Sequence, residues 1–469
     1  MRDRTIALVL AAGAGSRFGG GKLLARVGGR PVLQHVLDAI AATGLTRVVV
    51  VLGNDAAAIE STIAWRAEER VINPDPDRGL ASSLQAGMRA VGADADAVLV
   101  ALGDQPLVSS EKLRALVSVP DDPARPVVVA TYQGELGRNP VLLRRAAFRL
   151  IDETTGDRGL GPVLLAHPQL VTEVSVTGAN PDVDTREDLA HLLEGAWAAR
   201  VQANREQVER IREVPDGPDF YAPVRSLFRA DPTRTDDPVL AALLERVRPG
   251  DTWLDVGAGA GRFALPIARA LDPSGGSVVA LDASPSMLEA VREIAGDFAI
   301  ENVRTVQARW PPEAPAAATD LDADVALIAH VGYDVEAIGP FVDALETVAR
   351  RTCIAVLMDR APAAAADPFW PRVHGEERVP LPAMPELLEL LTARGMEPIV
   401  TRIPGELRRF ESREALEGFV RRQLWIDPAG AKGTRFEAAL AELAVHDESG
   451  WTIRGRDPAD TVVATWRSR

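Results

Sequence analysis

Leu8-Val9-Leu10-Ala11-Ala12-Gly13-Ala14-Gly15-Ser16-Arg17-Phe18-Gly19-Gly20-Gly21-Lys22 is an apolar run that breaks into glycines and ends on a cation. The run begins at Thr5. It is too short for the core of a secretory signal and reads as a first β-strand. The glycines after it let the backbone turn so that N–H groups face one point, a shape suited to an anion. Arg17 and Lys22 add positive charge there, fitted to triphosphate oxygens or a pyrophosphate leaving group. The chain holds three lysines (Lys22, Lys112 and Lys432) against 49 arginines. A lysine kept in the most glycine-rich segment points to a need for a compact ammonium rather than a planar guanidinium.

Working outward, β-branched runs alternate with helical patterns. Ile6–Leu10, Val48–Leu52, Ala97–Leu102, Val127–Ala130 and Val171–Val176 read as strands. Helices are expected near 31–43, 80–91, 110–118 and 142–152. A second strand–glycine–helix start follows at Thr252–Asp255, Gly257–Gly261 and Arg262–Leu271, about 240 residues after the first. The strands Ser277–Leu281, Asp324–Ala329 and Thr352–Met358 come after it. The pattern predicts an α/β protein of two doubly wound, Rossmann-like domains with mostly parallel sheets. The polar helical segment Asp188–Glu213, closed by Pro215–Pro218, marks the boundary, with domains at 1–193 and 197–469. Ala361–Ala366, among prolines, reads as a loop.

Three further segments of the first domain carry chemistry. Asp104 follows the apolar strand Val98–Leu102 directly, at the edge where open α/β sheets bind ligands. It suits Mg²⁺, which takes few protein carboxylates beside phosphate oxygens. Gly79 and Ser82 open a helix, so that their N–H and hydroxyl groups could read a nucleobase edge; simple N-capping is the other reading. Asp184, or else Asp182, offers a second metal ligand, with helix capping again the alternative.

The glycine loop, with Gly103-Asp104-Gln105-Pro106, resembles the molybdopterin nucleotidyltransferase family over roughly residues 5–190, and within it the molybdenum cofactor cytidylyltransferases. The resemblance implies that Ala12, Gly13, Gly15, Gly79 and Ser82 bind the nucleotide. It implies that Arg17, Lys22 and Asp104 act in transfer, and that Asp104 and Asp184 hold Mg²⁺. The substrates it implies are an NTP and a phosphorylated pterin-type acceptor, the molybdenum cofactor. It also brings in a molybdoenzyme maturation partner. Ala12, where GTP-using relatives carry Gly, leans toward CTP. Gly137-Arg138-Asn139-Pro140-Val141 and Thr155-Gly156-Asp157-Arg158-Gly159 match elements near the pterin side. Leu160 and Gly161 depart from the usual continuation of the second. The expected chemistry is in-line attack of the acceptor phosphate on the α-phosphorus, releasing pyrophosphate. An ionised phosphate needs no general base.

In the second domain Asp255-x-Gly257-x-Gly259-x-Gly261 lacks the glycine spacing of a dinucleotide fingerprint, since Arg262 stands where its third glycine is needed. It resembles motif I of class I S-adenosylmethionine-dependent methyltransferases, which implies that Asp255, Gly257, Gly259, Gly261 and Asp282 bind S-adenosylmethionine. Asp282, ending the next strand, is placed to meet both ribose hydroxyls. Arg309 or Trp310 could stack on adenine, and His330 could be a general base or a satisfied buried histidine. The methyl acceptor is open. The alternatives are a sugar-phosphate nucleotidyltransferase and a second domain that binds S-adenosylmethionine without catalysis.

Composition closes off other classes. Net charge is −15, from 52 basic and 67 acidic residues. Residues 1–193 hold 20 and 23 of these and the remainder 32 and 44. Neither part has the basic surplus of a nucleic-acid binder. No apolar run approaches the ~20 residues that span a bilayer. Cys353 is the single cysteine, which excludes intramolecular disulfides and cysteine metal clusters and suits the cytoplasm.

Overall fold

The computed structural model describes residues 4–13, 15–132, 139–214, 229–312 and 321–468. Ala14, Gly137, Arg138 and Pro215–Pro218, all singled out above, lie outside them. The chain divides into two compact units, Met1–His191 and Leu192–Arg469. Among the described residues no helix is long and apolar enough to cross a membrane.

Among the described residues the first unit is built around a seven-stranded sheet: β1 (Thr5–Ala11), β2 (Val48–Leu52), β3 (Glu69–Ile72), β4 (Ala97–Leu102), β5 (Val127–Tyr132), β6 (Val141–Arg144) and β7 (Val171–Val176). Their order in the sheet is β3-β2-β1-β4-β6-β5-β7. Only β6 runs antiparallel to its neighbours. Helices α1 (Val32–Ala41), α2 (Leu80–Val91) and α3 (Ser110–Val117) cover the faces. Burial on both faces explains why β1 is apolar from Ile6 to Ala11. Ile6, Leu8 and Leu10 enter one core with Leu84 of α2. Ala7, Val9 and Ala11 enter the other with Leu33 and Leu37 of α1 and Leu113 of α3. Each fully buried leucine or valine here contributes roughly 1.5–3 kcal/mol.

The helix expected over 142–152 is corrected. Val141–Arg144 is a strand wedged between β4 and β5, followed by a 3₁₀ helix over Arg145–Glu153. Val141, Leu142 and Leu143 are all buried, which a strand covered on two faces demands and one helical stripe does not.

Helix α4 (Arg186–Ile211) follows. The second unit has the strands β8 (Thr252–Val256), β9 (Ser277–Asp282), β10 (Val303–Gln307), β11 (Ala323–Ala329), β12 (Ala349–Met358), β13 (Ile399–Ile403) and β14 (Thr461–Arg467). They are ordered β10-β9-β8-β11-β12-β14-β13, and of these β14 alone runs opposite to the rest. Helices α5 (Ala264–Leu271) and α6 (Pro285–Asp297) pack against it. The expected loop at Ala361–Ala366 is also corrected: Pro362–Phe369 is a 3₁₀ helix. Ala366 and Phe369 are buried with Trp370, Leu416 and Phe436, so apolar burial overrides the prolines. The expected class, two α/β domains with mostly parallel sheets, is what the chain adopts.

Candidate functional site

In the first sheet β1 lies between β2 and β4, so the crevice beyond its end is a topological switch point. The end of β1 delivers Ala12–Lys22, and β4 delivers Gly103 and Asp104. The Gly103 N–H donates to the Leu10 carbonyl at 2.9 Å and pins one turn to the other. Ala12 is buried. Gly13 is exposed.

The glycine loop does not leave all its amides to a ligand. The N–H groups of Phe18, Gly19 and Gly20 converge on the Gly15 carbonyl at 3.0–3.1 Å. Gly19, Gly20 and Gly21 take φ of 91°, 93° and 68°, angles that side chains with a Cβ resist. The resulting coil folds the chain back beneath its own start. A Cβ on Gly15 would stand 3.3 Å from Lys22 Cγ. The first product of the loop is therefore the placement of Lys22.

Lys22 is 8% exposed. Its Nζ donates to Asp104 Oδ2 at 2.6 Å and to Asp184 Oδ1 at 3.0 Å. Arg17 Nη2 lies 3.2 Å from Asp184 Oδ2. Burial alone would pull the ammonium down, but Asp104 and then Asp184 outweigh it, and its pKa stands above the ordinary lysine value. Arg17, Lys22, Asp104 and Asp184 thus form one cluster. Capping, the other reading for Asp184, falls to Thr185, whose hydroxyl accepts from the Asp188 N–H at 3.1 Å, while Asp188 Oδ2 accepts in return from the N–H groups of Asp184 and Thr185 at 3.1 and 2.7 Å. Asp182 stands beside the cluster, its carboxyl pushed up by burial and by repulsion from Asp104 and Asp184. Gln105 Nε2 donates to Asp182 Oδ1 at 2.6 Å, and Asn180 Nδ2 to Gln105 Oε1 at 2.9 Å. These amides were not read from sequence as site residues. Gln105 lies inside the Gly103–Pro106 motif and Asn180 lies within four residues of Asp182 and Asp184, and that proximity was the available signal.

Among the described residues no three His, Cys, Asp or Glu side chains are grouped to hold a metal by themselves. Two carboxylates do suit Mg²⁺, which fills its octahedron with phosphate and water oxygens. Asp104 Oδ1 is buried with no hydrogen-bond partner, an acceptor fitted to such an ion.

The Gly79–Ser83 turn is built differently from expectation. Ser82 is buried, and its hydroxyl meets the carbonyls of Gly79 and Asp75 at 2.8 and 3.0 Å. Asn73 Nδ2 donates to Ser82 Oγ at 2.8 Å and to Ser83 Oγ at 3.0 Å. The Ser82 hydroxyl therefore ties the turn together. A Cβ on Gly79 would fall 2.7 Å from the Gly156 carbonyl carbon, so the 155–159 segment lies against this turn.

In the second sheet β8 lies between β9 and β11, again a switch point. Gly257 has φ 72°, and a Cβ there would stand 2.4 Å from Val331 Cγ2. The Gly257 and Ala258 N–H groups both donate to the Leu281 carbonyl, at 2.7 and 3.0 Å. This lays the loop against the end of β9. Asp282 then accepts from the Gly259 N–H on Oδ2 and from the Ser284 N–H on Oδ1, both at 2.8 Å. Each oxygen keeps acceptor capacity for a hydroxyl. Gly261 is packed by Leu265 and Val291. Asp255 is 2% exposed and its Oδ1 has no partner. Burial, and then repulsion from Asp282, push its carboxyl up to about 7.

His330 follows β11 with φ 57°, a strained angle for a residue with a Cβ. Although it is exposed, crowding by protein and then the Arg262 guanidinium pull its imidazole below the ordinary value. Its Nδ1 lies 3.4 Å from Tyr333 Oη, which accepts from the Met358 N–H at 2.7 Å. Arg309 is exposed, and the Trp310 indole N–H donates to the Phe341 carbonyl at 3.2 Å.

Residues 7–171 match the MobA-like NTP transferase domain family, and residues 254–350 match a methyltransferase domain family. Bifunctional protein GlmU of Paracidovorax citrulli is 38% identical over 116 residues, 24% of each chain. The chain spans about a quarter to a third of the length of the curated relatives it matches. Rv0371c from Mycobacterium tuberculosis is 30% identical, covering 41% of this chain and 100% of its own, at a TM-score of 0.38. The same protein in complex with manganese gives 29%, 40%, 98% and 0.36. A putative methyltransferase from Bacillus halodurans is 13% identical, covering 50% of this chain and 99% of its own, at a TM-score of 0.34. The chain thus carries a MobA-like NTP transferase domain in its N-terminal part and a methyltransferase domain in its C-terminal part.

Proposed function

We propose that the chain is a bifunctional transferase. Residues 1–193 transfer a nucleotidyl group from an NTP, with CTP preferred, to a phosphorylated pterin-type acceptor, the molybdenum cofactor. Residues 197–469 transfer a methyl group from S-adenosylmethionine to a small acceptor. The observation that carries the first half is the Lys22 ammonium standing between Asp104 and Asp184.

In this reading Lys22 and Arg17 hold the oxygens of the triphosphate and of departing pyrophosphate, where negative charge grows in the transition state. Asp104 and Asp184 would hold Mg²⁺, which would supply neutralisation of negative charge on the phosphates. Ala12, Gly13 and Gly15 line the nucleotide, and the Gly79–Ser82 turn meets the base. No side chain has to remove a proton, because the acceptor phosphate arrives ionised. The acceptor sits toward the 155–159 segment. A molybdoenzyme maturation partner and a cytoplasmic setting follow from that acceptor.

In the second half Asp282 accepts from the ribose hydroxyls, and the Asp255–Gly261 turn borders the adenosyl and methionyl parts. His330, uncharged near neutral pH, stands at the strand end where an acceptor would lose its proton.

The test is pyrophosphate release with each NTP, with and without molybdenum cofactor. CTP with the cofactor is expected to give the fastest release. Asp104→Ala should lower it by about 10²–10³, the usual size for removing one group that stabilises transition-state charge. No release with any NTP, or an unchanged rate in Asp104→Ala, refutes the reading.

A further inference from the structure

We propose that Lys22 is the resident cation of the first site, and that a divalent ion gains Asp104 and Asp184 only together with a nucleotide whose triphosphate draws Lys22 away. This rests on the nucleotidyl-transfer reading above. Three of the four oxygens of the two carboxylates already face a cation. Asp104 Oδ2 and Asp184 Oδ1 lie 2.6 and 3.0 Å from Lys22 Nζ, and Asp184 Oδ2 lies 3.2 Å from Arg17 Nη2. The fourth, Asp104 Oδ1, is buried without a partner. One ammonium bridging two carboxylates occupies the position that a divalent ion would take between the same oxygens.

The ammonium is held by shape as well as charge. The coil over Gly15–Gly21 runs the Lys22 stem close beneath Gly15, and Gly13 faces its Cε. Little of Lys22 reaches water. A divalent ion arriving alone must displace a doubly bonded, largely dehydrated ammonium. The displaced charge is then left without a counter-ion, a costly state for a buried group. A triphosphate removes that obstacle, since it offers new anionic oxygens at the mouth of the same loop and carries its own metal. A compact ammonium can be handed from carboxylate to phosphate. A guanidinium fork, locked bidentately to a carboxylate, is a poorer candidate for the hand-over. That would explain a lysine at this position in a chain so rich in arginine.

The test measures Mn²⁺ binding by electron paramagnetic resonance on the full chain, without turnover. Mn²⁺ is titrated alone and with a non-hydrolysable α,β-methylene CTP, corrected for Mn²⁺ held by the free analogue. Wild type is expected to bind Mn²⁺ at least tenfold more tightly with the analogue than without it. Lys22→Met is expected to bind Mn²⁺ without nucleotide at least tenfold more tightly than wild type. Equal affinities of wild type and Lys22→Met overturn the proposal. If the methionine variant does not fold, Lys22→Arg keeps a cation in place. It should change the coupling between analogue and Mn²⁺ at least threefold, and an unchanged coupling overturns the proposal. Calorimetry with the analogue separates the two levels. Analogue binding with Mn²⁺ affinity unaltered in every variant sinks the resident cation alone, whereas no analogue binding under any condition sinks the nucleotidyl-transfer reading with it.

Discussion

The two units begin alike, with an apolar strand, a glycine turn and a helix, yet their turns are built around different groups. In the first, the glycines coil a buried lysine back so that two half-buried carboxylates are neutralised: Lys22 bridges Asp104 and Asp184. In the second, the glycines clear the backbone past Val331, and the buried group is an acid with no cation beside it, Asp255. Asp282 is met by two backbone N–H groups instead of a side-chain charge. The difference follows the ligands proposed for them. A polyphosphate with a metal calls for movable charges of both signs. An adenosyl group, which has no phosphate, calls for shape and fixed acceptors.

The largest effect should come from Asp255. Its folded pKa is about 7 against an ordinary 3.8, so between those values the folded state keeps a proton that the unfolded chain has lost. Its contribution is therefore favourable at low pH, and stability falls as pH rises through this window and levels off above about 7. A shift of about three units corresponds to at most about 4 kcal/mol. Asp255→Asn, which cannot ionise, should flatten this part of the profile. The difference in unfolding free energy between variant and wild type should move in the variant's favour by a few kcal/mol from pH 5 to pH 8. An identical slope in both proteins would mean that Asp255 is not the buried acid of this unit.

Asp282 comes next. Asp282→Ala strips two N–H groups of their acceptor and removes the proposed ribose contact. Hydrogen bonds to a charged group are worth roughly 1.5–3 kcal/mol, so calorimetry should show S-adenosylmethionine binding about 10–100-fold more weakly. Unaltered affinity would remove the adenosyl reading from this turn, leaving only its likeness in shape to the first.

The parts of both units that sequence exposed most clearly are the strands buried on two faces. Ile6–Ala11 of β1, Ala97–Leu102 of β4 and Val325–Ala329 of β11 are continuous apolar runs because water reaches little of either side of them. β6 differs from the helix expected there because Val141-Leu142-Leu143-Arg144 runs straight into Arg145-Ala146-Ala147-Phe148, and the composite also fits a helical stripe. The edge strands β3 and β13 carry no such run: Glu69, Arg70 and Arg402 are exposed, and so are Ile72 and Ile399. Sheet edges bury too little to impose a pattern. The chemistry-bearing residue types of the first site were visible one by one. Their convergence was not, since Lys22 meets partners 82 and 162 residues away, brought there by the crossing of strands. The commitment of the Phe18, Gly19 and Gly20 amides to the Gly15 carbonyl was equally hidden, because composition says where a backbone can turn and not which acceptor it finds.

The smallest effect separates recognition from architecture at the base-facing turn. If the Ser82 hydroxyl read the nucleobase, Ser82→Ala would alter the ranking of NTPs. In the structure that hydroxyl is buried and meets Gly79, Asp75 and Asn73. Its loss should therefore weaken the turn and leave recognition to the backbone. Asn73 keeps a partner in Ser83 Oγ at 3.0 Å, which limits the damage. The expected cost is about 1 kcal/mol of stability, the net value of a typical internal hydrogen bond, with the order of NTP preference in pyrophosphate release unchanged. A reordered preference with stability intact would reverse the assignment. Ser82 would then act on the ligand as Asp282 is proposed to do, and the contrast between a first turn that positions charge and a second that offers fixed acceptors would narrow to the metal alone.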